Sequence, residues 1–132
     1  MTKKLTAEEK IAKTIEYCKY SKQIAKNCGY TVFFTIELES TERTETEVCL
    51  QGSKYTKTEV YPRGSKYTNI FTTVDMLRYA LIEAAIEARQ ESEYSNNWFR
   101  VRVWIKTFLG HKLIDEEVVN DYEIIFRRGV EA

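Results

Sequence analysis

One histidine, three cysteines and five glycines are all that this 132-residue chain offers of the residues on which most site chemistry depends. A hydrolase or transferase of ordinary type needs a base near neutrality, usually histidine. The single candidate, His111, follows Gly110 in a sequence that reads as a solvated turn. Nothing at Cys49 marks it as a nucleophile for that histidine to activate. A zinc site would need all of Cys18, Cys28, Cys49 and His111, which are scattered and include no Cys-x-x-Cys pair. Neither a Gly-x-Gly-x-x-Gly loop nor a Walker loop is present, so a phosphate cradle of backbone amides is not expected. Asp115, Glu116, Glu117 and Asp121 are acidic enough for a hard cation, but adjacent strand residues point to opposite faces, and solvated edge charge is the simpler reading. The composition therefore points away from an enzyme, and from a cofactor or metal protein.

Other absences bound the setting. No apolar run approaches the roughly 18 residues of a membrane span, and no membrane partner is expected. The start, Met1-Thr2-Lys3-Lys4-Leu5, leads into a charged helix, so a secretory signal is not expected and a cytoplasmic location is. The cysteines are expected to be buried, reduced thiols. A Cys18–Cys28 disulfide would have to span ten helical residues, roughly 15 Å, which disulfide geometry forbids.

Net charge is also missing: 20 basic and 20 acidic residues cancel. That argues against a protein that coats nucleic acid and against one that mimics it over its whole surface. The charges are blocked, however. Residues 1–28, 29–51, 52–70, 71–95, 96–112 and 113–132 carry +4, −4, +3, −3, +4 and −4. Oppositely charged elements lying side by side would explain that alternation.

The most informative stretch is Trp98-Phe99-Arg100-Val101-Arg102-Val103-Trp104-Ile105-Lys106. Its strict alternation describes a half-buried strand. Phe99, Val101, Val103 and Ile105 form the core stripe. Trp98, Arg100, Arg102, Trp104 and Lys106 share the other face, three cations set between and beside two indoles. Guanidinium forks and aromatic rings are the groups that grip and stack an anionic nucleotide. They are equally the groups of protein-interface hot spots. A third reading leaves the face without a ligand: helix 1 or a second subunit covers the indoles while Glu45, Glu47 or Glu123 pairs with the arginines.

Around this strand the sequence predicts two helices. Thr6-Ala7-Glu8-Glu9 is a capping box, and Gly29 marks the stop. Ile11, Ile15, Cys18 and Ala25 form the apolar stripe between them, widened by Tyr17, Tyr20 and Ile24. A second helix begins at Thr72-Thr73-Val74-Asp75 and runs to about Gln90. Val74, Leu77, Leu81, Ala84, Ala85 and Ala88 make one face, and Met76, Ala80, Ile82 and Ile86 carry the apolar surface far around it. Such a helix is expected to be covered on more than one side, which favours a homodimer through it.

Between the helices, Tyr30–Glu39 and Thr44–Gln51 read as two strands joined at Ser40-Thr41-Glu42-Arg43. Residues 52–70 repeat Gly-Ser-Lys-Tyr-Thr at 52 and 64, around Tyr61-Pro62-Arg63-Gly64, which suits a type I turn. This segment is expected to project as a polar hairpin or arm, with Lys54, Tyr55, Tyr61, Arg63, Lys66 and Tyr67 as further ligand contacts. The C-terminal third reads as a meander of Trp98–Leu109, Leu113–Val119 and Tyr122–Arg128. One α+β domain follows: an antiparallel sheet of five to six strands with two helices on one face, in the order α-β-β-(β-hairpin)-α-β-β-β.

This order superficially matches a double-stranded RNA-binding domain, but the second helix lacks the lysine-rich start that such a module uses. The glycine-aromatic strand signature of the RNA-recognition motif is missing too. The expectation is a small non-enzymatic binding protein. Its ligand would be an anionic nucleotide, or its partner a host protein or nucleoprotein complex. Because short motif-free chains are often accessory proteins of mobile elements, a role as such an accessory or inhibitor, including in evasion of host defence, is the expectation.

Overall fold

Helix α1 (Ala7–Asn27) begins where the capping box places it: the Thr6 hydroxyl accepts from the Glu9 amide and the Glu9 carboxylate accepts from the Thr6 amide. The fold is known from a computed structural model, which describes residues 4–95, 97–128 and 130–131. After α1 come β1 (Thr31–Leu50), β2 (Ser53–Tyr67), α2 (Val74–Tyr94), β3 (Asn97–Leu109), β4 (Lys112–Val118), β5 (Ile124–Arg127) and β6 (Val130–Glu131). The protein is α+β, with six strands in one antiparallel sheet and both helices on one face. Thr73 caps α2 by accepting from the Met76 amide at 3.2 Å. The helix runs past Gln90 to Tyr94, held along its length by Leu77, Leu81, Ala84, Ala85, Ala88 and Ser92, all buried.

The core lies between the helices and one sheet face. Val32, Phe34 and Ile36 of β1, Phe99, Val101, Val103 and Ile105 of β3, and Ile124 and Phe126 of β5 alternate into it as period-two spacing requires. Ile15, Cys18 and Ala25 of α1 close the far side. Tyr20 and Ile24, expected to widen that stripe, stay exposed. Cys18 is the buried thiol, whereas Cys28 and Cys49 are exposed, and none of the three is in a disulfide. Burial pushes the Cys18 thiol up to about 12, with help from the nearby Glu117 carboxylate. No helix among the described residues is long and apolar enough to cross a membrane.

Between the helices the chain is divided differently from the sequence expectation. Ser40-Thr41-Glu42-Arg43 is no turn: β1 passes through it as one strand of 20 residues. The reversal occurs at Gln51-Gly52, whose φ angles of 51° and 81° make the left-handed pair of a two-residue hairpin. Tyr61-Pro62-Arg63-Gly64 is likewise within β2. There Ser40 faces Gly64 and Thr41 faces Pro62, so Arg63 is the extra residue of a bulge. Proline is tolerated because β2 is an edge strand. The polar arm therefore exists, but it is built from the outer half of β1 as much as from β2.

The C-terminal strands do not form a simple meander. Both β4 and β5 pair with β3, β4 along Trp104–Leu109 and β5 along Phe99–Val101. Asn120-Asp121 lets the chain jog outward and rejoin the same edge, because Val119 still donates its amide to the Val103 carbonyl at 2.9 Å. The order β2-β1-β3 sets an acidic strand between two basic ones. Charge alternation along the sequence thereby becomes charge pairing across the sheet.

Candidate functional site

The five residues Trp98, Arg100, Arg102, Trp104 and Lys106 do share one face of β3, opposite the helices. Neither helix covers the indoles. The neighbours that matter are the outward residues of β1, since the register sets Glu37 directly across from Arg102 and Glu39 across from Arg100. Directly opposed side chains lie within contact distance, so opposite charges there pair.

Glu37 is the hub. Its side chain is 3% exposed. Oε1 accepts from Arg102 Nε at 3.0 Å and from Trp104 Nε1 at 3.0 Å, with Arg102 Nη2 at 2.7 Å. Oε2 accepts from Ser65 Oγ at 2.9 Å and from the Tyr67 hydroxyl at 3.2 Å. Burial alone would push the Glu37 carboxyl up. The hydrogen bonds from Trp104 and Ser65 and the charge of Arg102 outweigh it and hold the group below the ordinary glutamate range. The same carboxylate raises the Tyr67 phenol, second to burial.

Arg100 is held by Glu39 at 2.7 Å and by Glu123 at 3.4 Å. Burial disfavours its charge, but the two carboxylates and Glu37 more than compensate, and the guanidinium lies above its ordinary value. Its Nε is buried with no hydrogen-bond partner among the described residues. Arg102 also reaches Glu39 at 3.3 Å, and Lys106 stands 3.6 Å from Glu116 on β4. Each cation of the face thus has a carboxylate. The rings are engaged too: Arg127 lies 4.7 Å from the Trp98 ring centre and Arg102 lies 6.0 Å from that of Trp104.

The expected partners Glu45 and Glu47 are not among these carboxylates, while Glu123 is. Glu45 and Glu47 lie beyond the end of β3, opposite Thr58 and Thr56 in the arm. Glu37, Glu39 and Ser65 were missed in the sequence. Their signal was the Glu37-x-Glu39 spacing on the outward face of β1, matching Arg100-x-Arg102.

The arm residues do not join this face as one site. Tyr67 does so through Glu37, but Lys66 turns to the opposite side and meets Glu87 of α2 at 2.9 Å. Arg63 pairs with Glu42, and the Tyr61 hydroxyl donates to Glu59. Lys54 sits 3.5 Å from Glu47 near the tip, beside exposed Tyr55. Along β1 the last residue, Leu50, is thirteen residues from Glu37, about 45 Å at strand rise. No group of three or more histidine, cysteine or acidic side chains suited to a metal ion occurs among the described residues. Compared with known proteins, the chain matches no family model, no curated protein sequence and no solved structure.

Proposed function

We propose that this is a non-enzymatic protein-binding domain whose β1–β2 arm inserts into a groove of a partner protein. One observation carries the reading: eight cross-strand pairs, from Arg43–Val60 to Leu50–Ser53, extend beyond the last contact of β1 with β3 at Glu42–Asn97, and from Thr44–Glu59 outward none of their side chains is buried. At strand rise the ribbon is about 25 Å long. Two strands alone are marginally stable in water, so a ribbon this long contributes little to the fold and presents its side chains to something else. Leu50, Tyr55 and Val60 are its exposed apolar and aromatic groups, and Tyr61 lies at its base.

The charge of the arm selects the partner class. Residues 41–63 carry four basic and four acidic side chains. A ribbon that reads a nucleic-acid groove needs an excess of cations, because phosphate contacts dominate such binding. The anionic-nucleotide reading of the β3 face needs uncommitted guanidinium groups, and Arg100 and Arg102 are engaged by Glu37, Glu39 and Glu123. Both considerations favour a protein partner, in keeping with an inhibitor or adaptor role.

Paired affinity capture tests this. Removal of residues 44–59 and closure of Arg43 to Val60 by Asn-Gly keeps those two residues opposed and leaves the sheet intact. Removal of the whole of residues 53–67 would instead strip the edge strand. The full chain should retain a protein that the shortened chain, equally folded, does not. Identical captured sets would end the proposal.

A further inference from the structure

The structure assigns a second interaction surface, distinct from the arm: a groove between the end of β2 and α2 that accepts an extended, basic and apolar segment of another protein as an added strand. The groove has a volume of about 760 Å³. Thr68 and Phe71 line one wall, and Met76, Tyr79, Glu83 and Ile86 line the other. Three of these side chains lie open in a way a helix in water does not favour: Met76 is 54% exposed, Tyr79 73% and Ile86 50%.

What fits there follows from the sheet. Strand β2 pairs with β1 alone, so its other edge is open. The Thr68 amide is turned toward β1, donating to the Ile36 carbonyl at 2.9 Å. By antiparallel alternation, Ser65 and Tyr67 direct their amides and carbonyls to the open edge. A strand laid along that edge takes up those groups, and every second side chain of it points under α2 into the groove. Open backbone groups call for an extended occupant, and the apolar wall calls for apolar side chains at alternate positions.

Charge selects the rest. Glu87 is engaged by Lys66, whereas Glu83 makes no ion pair among the described residues. A lysine or arginine between two apolar residues of the added strand answers it. A second copy of this chain fits less well, since stacking α2 on α2 about a two-fold axis brings like carboxylates together. The groove and the arm are separate surfaces, and this inference stands or falls without the arm.

The test uses the full chain and a displayed library of random heptapeptides. Enriched sequences should place apolar residues on either side of a lysine or arginine, at every second position. A synthetic peptide of the enriched sequence should perturb the backbone amides of residues 65–68 and of α2. Ile86→Glu and Tyr79→Glu alter exposed positions, so both variants should melt with the parent and bind the peptide about tenfold more weakly or worse. Glu83→Lys should shift selection toward aspartate or glutamate at the central position. The shortened-arm variant should bind the peptide like the full chain. No enrichment, enrichment without alternation, or binding that survives Ile86→Glu would overturn the assignment. So would self-association through α2 that the peptide cannot displace.

Discussion

Glu37 and Arg102 face each other across β1 and β3, and the carboxylate that Arg102 holds at 2.7 Å is the one that also accepts the Trp104 indole N–H. Two features that read in the sequence as an anion-binding face are thereby spent on the protein's own glutamate. The pair is nearly enclosed, so its removal should be costly. Glu37→Gln leaves Arg102 with Glu39 as its remaining carboxylate in a part-buried site, and a loss of about 2 kcal/mol is expected. Urea unfolding would read it as a lower midpoint with an unchanged slope. A loss within experimental scatter would mean that Glu39 alone suffices to hold the guanidinium.

The same pair gives the protein an acid limb. Because the folded-state carboxyl of Glu37 lies below its unfolded value, its contribution is complete above the ordinary glutamate range. It fades as pH falls through the lower, folded value. The stability difference between the parent and Glu37→Gln should therefore be constant at neutral pH and shrink in acid. A difference that grows on acidification would reverse the assigned direction.

Thiol reactivity separates the cysteines. Cys28 and Cys49 are exposed, and Cys18 is fully buried with its thiol pushed up to about 12. A disulfide-exchange reagent at neutral pH should titrate two thiols in the folded protein and the third only after denaturant is added. Three rapid thiols would place Cys18 outside the core.

A nucleotide panel should leave the melting temperature unchanged, because Arg100, Arg102 and Lys106 each already face a carboxylate. Thermal shift measures this directly. A nucleotide that stabilises the parent but not Arg100→Ala would restore the β3 face as a ligand site.

Much of this architecture was legible where one face of an element is buried. Val32, Phe34 and Ile36 alternate against the helices, as do Phe99, Val101, Val103 and Ile105, and the two threonine caps fix where the helices begin. Legibility failed in the arm for the same reason. Ser40-Thr41-Glu42-Arg43 has no core to alternate against, and a strand polar on both faces has the composition of a turn. The true reversal, Gln51-Gly52, carries glutamine where asparagine or aspartate is the usual signal. Pro62 and Gly64 imitate a turn because a bulge in an edge strand uses similar residues. In the candidate site the arginines and indoles were visible, and so was Glu123 as a partner, but the β1 carboxylates that hold them were not. Register decides that, and Glu37 and Glu39 are more than 60 residues from the arginines they hold.

Shortening the arm should cost the fold little. With residues 44–59 replaced by Asn-Gly, the core and the Glu37 network remain, and stability should change by less than about 1 kcal/mol. Cooperative melting near the parent temperature would confirm that the ribbon is presented by the fold and not required for it. Collapse of the transition would make it a structural element.

The most direct measurement is amide hydrogen exchange of the full chain, free and in complex with the protein it captures. Free in solution, the amides of residues 44–59 should exchange faster than those of β3, since the ribbon opens without unfolding the core. In the complex those same amides should slow by more than any others in the chain. Protection confined to the β3 face or to α2, with the ribbon exchanging as fast as in the free protein, would contradict the account.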